Sequence, residues 1–564
     1  MFDYDKKMNE LYDIKKETIT YDSSYFKLPI EYNEHGEVNS IIKNDIELSS
    51  DNNIYKHIIP NSILVDKWSS YYTNNKKFLK DTQSHIKYYK PTTTSKLDML
   101  EAYKIFKEET SFIERYQYVG LKWFRPLNGN TSFLQCLGMF NLASPVISLC
   151  SPLFVLIVPF VILKIRRIPI TIDLYITFLK ELIKKNSFYK LFTEFSTLPA
   201  QQKMSSILSI LFYIFQVYSN IMSCITFYKN IHSVSTFLFK YKDHVHQSIE
   251  LIHNLQASTS KYKSYTLFYN EMELHKLHLE KQFAMLNMLY PFESTLSKIS
   301  QIGVYMKLYY ELFYNEQHHK TFMYSVYLNQ YNKDICELNK QIKSKNLNKC
   351  KFGKSTKMKN IYYLPHIDKT PIKNNVEIDK NIIITGPNAS GKTTMIKSIL
   401  INVLLSQQIG YGCYSSAKIK LYDTFHSYLN IPDTSGRDSL FQAEARRCKD
   451  ILEVISKNPS DNHLCIFDEI YSGTNPNDAV MCADMYLKGM NELNESVDYV
   501  LTTHYIELCE KFKEDTMIKN LKMDVKTDNE DITFLYTIVP GISYIHGGKH
   551  ILKEMEYPEH LFNN

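Results

Sequence analysis

Residues 384–394 read Ile-Thr-Gly-Pro-Asn-Ala-Ser-Gly-Lys-Thr-Thr and follow directly on the apolar run Ile382 to Ile384. Gly386, Gly391, Lys392 and Thr393 fall at the spacing GxxxxGK[ST], the pattern of a phosphate-binding loop between a strand and a helix. Each residue type has a physical task there. The glycines let the backbone curl through Pro387, Asn388, Ala389 and Ser390 so that successive N–H groups face a phosphate. Lys392 reaches the β and γ oxygens, and the Thr393 hydroxyl is a ligand for Mg2+. A helix beginning near Lys392 and running through Thr394 would add its positive end. A plain strand-to-helix turn with a surface lysine could carry the same letters, so the rest of the chain has to decide.

Downstream, Leu464-Cys465-Ile466-Phe467-Asp468-Glu469 is an apolar strand ending in two carboxylates. In a nucleotide hydrolase Asp468 would hold the magnesium shell and Glu469 would polarise the attacking water. A third apolar stretch, Tyr499 to Leu501, ends in Thr502-Thr503-His504. A histidine at that place can bond the γ-phosphate or the water, whereas an isolated histidine is more often structural.

Between and around these lie Ser439-x-Phe441-x-x-Glu444 and, after the acidic pair, Ile470 with Gly473-Thr474. In order and type, Gly386-Pro387-Asn388, Ser439-x-Phe441-x-x-Glu444, Asp468-Glu469-Ile470 and Thr503-His504 resemble the MutS family, DNA mismatch-repair ATPases related to ABC-type ATPases. Val539-Pro540-Gly541-Ile542-Ser543 resembles the PGxS stretch after the family's last strands. The resemblance implies an α/β P-loop ATPase over about residues 361–564, using ATP with Mg2+. Through it, Asn388 helps place the hydrolytic water, and Ser439 reaches across a dimer interface to the partner's γ-phosphate. The protein would then work as a homodimer or a heterodimer with a paralogue, two ATPs closing it and hydrolysis opening it. Two departures stand out. The loop has Ala389-Ser390 where the family usually has Met-Gly or Met-Ser, which leaves every named ligand in place. No Phe-x-Glu mismatch wedge stands in a separate amino-terminal domain, so mismatch reading is not expected by default. The chain also resembles shorter members that keep only lever and ATPase regions, without the full carboxyl-terminal dimerisation helices.

The other 360 residues are expected to form a mainly α-helical lever or core domain. Residues 1–75 are polar and weakly periodic, with turn clusters such as Ser49-Ser50-Asp51-Asn52-Asn53, and suggest no chemistry. From 76 to 345 apolar residues recur at helical spacing. Two segments break that pattern: 140–163 and 205–228 each hold 24 residues without a charge, enough to cross a hydrocarbon layer that needs about 20 helical residues. Pro145, Pro152 and Pro159 point to a kinked span or a re-entrant hairpin in the first; buried helices would give the same letters. The eight basic and three acidic residues from Lys164 to Lys203 conflict with placing that loop across a membrane from a cytosolic ATPase. Residues 346–360 read as a Lys-rich linker, with seven lysines and no acid between Lys343 and Asn360; a solvated linker is favoured over a nucleic-acid contact.

Net charge is +6 over 564 residues, which permits DNA or anionic lipid as partners without requiring either. Ten cysteines without a CxxC pair indicate reduced thiols and no structural metal site. The first residues show no secretory signal, so an intracellular protein is expected, its ATPase domain cytosolic or nuclear. The leading expectation is an ATP-driven helical clamp acting on DNA. The alternative is a membrane-associated, ATP-switched interaction protein that does not bind DNA. An ABC-transporter-like subunit is disfavoured, because Ser439-x-Phe441-x-x-Glu444 stands where LSGGQ would be expected.

Overall fold

The computed structural model describes residues 23–49, 52–90, 98–166, 171–185, 199–291, 300–429, 439–493, 496–528 and 531–545, with isolated positions 189, 548, 552, 555, 557 and 558. The signal-peptide reading of the first residues, and the last part of the tail, lie outside these. The chain forms two compact units: Met1–Thr94 with Leu251–His275 and Met323–Asn564, and Ser95–Glu250 with Lys276–Phe322.

In the first unit, helix α1 (Lys76–Tyr88) ends a segment that is well packed, although its sequence showed only short elements. Ile42, Ile54 and Trp68 are buried from elements too short to show a period, and the segment's further anchors are polar and leave none. Thr73 N–H donates to the Gln407 carbonyl at 2.9 Å. Gln83 Nε2 donates to the carbonyls of Gly410 and Cys350 at 2.7 and 3.0 Å. Ser427 Oγ donates to the buried Asp45 carboxylate at 2.6 Å. These bonds tie residues 45–83 to the carboxyl-terminal part of the same unit.

The second unit contains both of the long uncharged segments, 140–163 and 205–228. Helix α2 (Thr131–Ile165) is continuous over 35 residues, so Pro145 and its successors do not turn the chain back as a re-entrant hairpin. Helix α3 (Ala200–Thr259) runs for 60 residues. Their apolar stretches are not core. In an 18-residue apolar window within Thr131–Ser151 of α2 only 17% is buried, and in that of α3 none is; Val146, Leu149, Phe212, Phe215 and Tyr218 are all more than half exposed. The two helices run antiparallel. Cys224 Sγ meets the Leu142 carbonyl at 3.5 Å, Asn220 Nδ2 bonds Ser148 Oγ, and Tyr213 Oη donates to the Leu149 carbonyl at 3.1 Å. A separate aromatic core of Phe106, Phe112, Tyr309 and Phe313 belongs to this unit.

Back in the first unit, the stretch expected to be a Lys-rich linker is structured. It forms β1 (Asn348–Gly353) and β2 (Thr356–Ile361), because Cys350, Met358 and Ile361 alternate inward among the lysines. Strand β3 (Asn374–Ile378) follows. Then come β4 (Asn381–Thr385), α4 (Lys392–Gln408), β5 (Tyr411–Gly412), β6 (Ser416–Lys420), β7 (Thr424–Tyr428), α5 (Leu440–Lys457), β8 (His463–Asp468), α6 (Pro476–Glu492), β9 (Val497–Thr503), β10 (Ile518–Asp528) and β11 (Asp531–Pro540).

Two sheets result. One has the order β11-β10-β4-β9-β8-β7 and is parallel except for the β10/β11 pair. The other has the order β3-β2-β6-β1-β5. Ile382 to Ile384, Leu464 to Phe467 and Tyr499 to Leu501 have no exposure, as expected of central parallel strands covered on both faces. Strand β9 lies between β4 and β8, with Thr502 in register with Ile384 on one side and Asp468 on the other. Three carboxyl-terminal strand ends thus meet at one edge, where open parallel sheets bind ligands.

Candidate functional site

At that edge the chain leaves β4 and turns through residues 386–391 into α4. Gly391 is the N-cap residue of α4, with φ +91°, a left-handed conformation that glycine adopts without penalty. Ser390 is buried and its hydroxyl donates to the Pro387 carbonyl at 2.7 Å, closing the turn. Ala389, at φ +63°, holds a left-handed conformation with a side chain, a local strain on the order of 1–2 kcal/mol.

Lys392 is 6% exposed. Its ammonium donates to the Gly386 and Pro387 carbonyls at 3.0 and 3.3 Å and pairs with Glu469 Oε1 at 3.3 Å. The other oxygen of that carboxylate, Oε2, lies 3.5 Å from His504 Nδ1. The hydrogen bond with His504, reinforced by the Lys392 charge, holds the Glu469 carboxyl below its ordinary range despite burial. Glu469 also sits at φ +50° immediately after β8, its N–H held by the Thr502 carbonyl at 3.0 Å.

Asp468 behaves oppositely. Burial pushes its carboxyl up, against the hydrogen bonds it accepts. Those bonds come from Thr393 Oγ1 at 2.6 Å and from Thr502 Oγ1. A hydroxyl and a carboxylate oxygen side by side, with negative charge poorly compensated, form a hard-oxygen donor pair of the kind that suits Mg2+. Among the described residues no cluster of three His, Cys, Asp or Glu side chains could hold a metal, and all ten cysteines are free.

A cleft of about 760 Å³ opens over these groups. Asn388, Ala389, Gly391, Lys392, Thr393, Thr394, Asp468 and Glu469 line one end. Tyr363, His366, Ile372 and Tyr536 line the remainder, and the sequence reading did not anticipate them. They belong to no spaced motif, and the only hint was the aromatic pair Tyr362-Tyr363 ahead of the apolar strand.

Ser439 does not line this cleft. It caps α5 in a reciprocal pair with Gln442: Gln442 N–H donates to Ser439 Oγ at 3.3 Å, and Ser439 N–H donates to Gln442 Oε1 at 3.0 Å. Glu444, one turn later, is buried. Its carboxylate accepts from Ser472 Oγ at 2.9 Å and from Gly473 N–H at 3.1 Å. A Cβ on Gly473 would stand 2.9 Å from the Phe441 backbone nitrogen, so only glycine permits this approach. The capped helix is thereby fastened to the chain that follows Asp468-Glu469.

The family model for MutS domain V matches residues 382–564. DNA mismatch repair protein MutS of Christiangramia forsetii is 31% identical over 193 residues, 33% of this chain and 22% of its own length. The protein of the same name from Caldicellulosiruptor saccharolyticus is 30% identical over 199 residues, 34% of this chain and 22% of its own. Residues 382–564 are thus identified as a MutS domain V. The likeness lies in the C-terminal third of the chain, and the matched segment spans about a fifth of the length of these curated relatives. The matched residues carry the end of the cleft lined by Asn388, Lys392, Thr393, Asp468 and Glu469, whereas Tyr363, His366 and Ile372 precede them and the helical second unit lies outside them.

Proposed function

We propose that the cleft binds ATP and hydrolyses it to ADP and phosphate. The observation that carries this reading is the meeting, at three adjacent strand ends, of the Thr393–Asp468 oxygen pair with the Lys392–Glu469–His504 chain. Lys392 would exchange its contacts with the loop carbonyls and Glu469 for the β and γ oxygens of the nucleotide. Thr393 and Asp468 would hold Mg2+, which neutralises charge on the phosphates when bound. Released from Lys392, Glu469 would accept a proton from the attacking water, and Asn388 and His504 would orient that water. Tyr363, His366 and Ile372 offer flat and apolar surface for the base.

Ser439, exposed at a helix N-terminus away from its own cleft, supports a composite site in which it serves the γ-phosphate of a second subunit, a homodimer partner or a paralogue. ATP would hold that dimer closed and hydrolysis would open it, moving the helical unit as a clamp on DNA. Lys392→Ala should abolish ATP turnover, and Glu469→Gln should bind ATP while trapping the dimer. Turnover at the wild-type rate in either variant would refute the assignment.

The exposed, uncharged faces of α2 and α3 favour a second reading, in which the same engine works at a membrane. Apolar surface of this extent is not left in water, and the antiparallel pair satisfies Asn220 and Tyr213 internally, as a bilayer demands. Liposome flotation that survives carbonate extraction would support it. Recovery as soluble protein without detergent would exclude it.

A further inference from the structure

The Lys-rich stretch, once folded, becomes a surface. Because Cys350, Met358, Ala417 and Ile419 point inward, the alternate residues of β1, β2 and β6 share the outer face of the five-stranded sheet. Lys357 and Lys351 are both in register with Lys418, one on each side. Three lysines therefore form a single row across three strands, spanning roughly 10 Å at about 4.8 Å per strand. In the next row Lys359 is in register with Ser416, and Lys349 lies two residues before Lys351 on the same face. All five lysines are exposed. Of them, Lys357 is paired with Glu377 at 2.7 Å, while Lys349, Lys351, Lys359 and Lys418 form no ion pair among the described residues. Like charges directly opposite one another weaken a sheet, so the fold gains nothing from this row by itself.

We infer that this sheet face is a docking surface for the phosphate backbone of duplex nucleic acid, distinct from the ATP cleft and from any contact made by the helical unit. A duplex presents one negative charge per about 1.7 Å of axis, the complement of a flat array of point cations. The chemistry of the face separates this partner from its rivals. None of the outward residues named is aromatic, and stacking platforms are what single strands need. None is a large apolar side chain, which insertion into a lipid interface needs. Nothing on the face reads bases, so binding is independent of sequence. This surface adds a place for nucleic acid to the clamp reading but does not depend on turnover at the ATP cleft.

The test uses full-length protein in neutral detergent, fluorescent duplex DNA and a salt titration. Replacing Lys349, Lys351, Lys359 and Lys418 together with Gln should weaken duplex binding and reduce the salt slope of log Kobs by about 3 to 4, at about 0.9 per phosphate contact. The matching Lys→Arg set should restore both. ATP hydrolysis without DNA should be unchanged in both sets, and Lys392→Ala should keep the duplex contact. Duplex affinity and salt slope equal to wild type in the Gln set would overturn the inference, as would a wild-type protein that ignores duplex DNA. It would equally fall if the four lysines proved necessary for binding phosphatidylserine vesicles but not for binding duplex.

Discussion

Glu444 offers a graded test of how the helix capped by Ser439 is coupled to the strand end at Asp468-Glu469. Its buried carboxylate accepts from Ser472 Oγ at 2.9 Å and from Gly473 N–H at 3.1 Å, and bonds to a charged acceptor contribute about 1.5–3 kcal/mol each. Glu444→Ala loses both and leaves the Gly473 N–H facing a void, a destabilisation of about 3–6 kcal/mol on that account. Glu444→Gln can keep the bond from Gly473 through its remaining oxygen and turn its amide toward the Ser472 hydroxyl. It loses charge assistance but no partner, so about 1–3 kcal/mol is expected. Neither Ser472 nor Gly473 lines the cleft. ATP affinity should therefore hold in Glu444→Gln while turnover falls, because the chain leaving Glu469 is held less firmly to the helix that Ser439 caps. Urea unfolding of the first unit, nucleotide binding and steady-state hydrolysis measure the three quantities. Equal urea midpoints for wild type and Glu444→Ala would refute the energetic reasoning. A Gln variant that loses ATP affinity as steeply as turnover would refute the separation of the two sites.

Other expectations follow from single observations. Gly391→Ala forces a side chain to φ +91°, with its Cβ 3.0 Å from Tyr536 Cδ1; the loop should lose about 1–2 kcal/mol, read as weaker ATP binding in a fold that stays intact. Mixing Ser439→Ala with Lys392→Ala chains should give more hydrolysis than either alone, since one composite site per mixed dimer has both residues; no recovery in demonstrated mixed dimers would exclude sharing across the interface. Because His504 and Lys392 hold the Glu469 carboxyl low, its ionised form persists below the usual carboxylate range. The acid limb of the hydrolysis profile should accordingly move to higher pH in a His504→Ala variant. Burial raises the Asp334 carboxyl to about 7 from 3.8, where it accepts from Ser62 at 2.7 Å and Trp68 at 2.8 Å. Between about pH 4 and 7 the folded state then binds the extra proton, so stability should fall as pH rises through that window and level off above it. The dependence should vanish in Asp334→Asn, as followed by urea midpoints.

The parts of this protein that could be read in advance are those where chemistry fixes both residue type and spacing. A loop that must wrap a phosphate needs glycine at 386 and 391, and a strand that must deliver two carboxylates ends in Asp468-Glu469, so letters alone exposed them. The aromatic wall of the cleft was not legible, because Tyr363, His366 and Tyr536 reach it from separate stretches of the chain and belong to no spaced motif. The amino-terminal segment escaped for a different reason. Its buried apolar side chains, such as Ile42, Ile54 and Trp68, sit in elements too short to show a period, and Thr73, Gln83 and Asp45 add bonds to backbone and hydroxyl groups that leave none. The lysines of residues 343–360 show how a correct count can carry a mistaken structure. Seven like charges in a row of letters suggest a solvated linker, yet Cys350, Met358 and Ile361, each at most 1% exposed, bury enough apolar surface to fix two strands. Once the strands form, pairing with β6 sets Lys351 and Lys357 beside Lys418, a contributor lying outside that run of letters. Period-two burial thus turns a run of charge into a face of charge, and it is the face, not the run, that a partner can recognise.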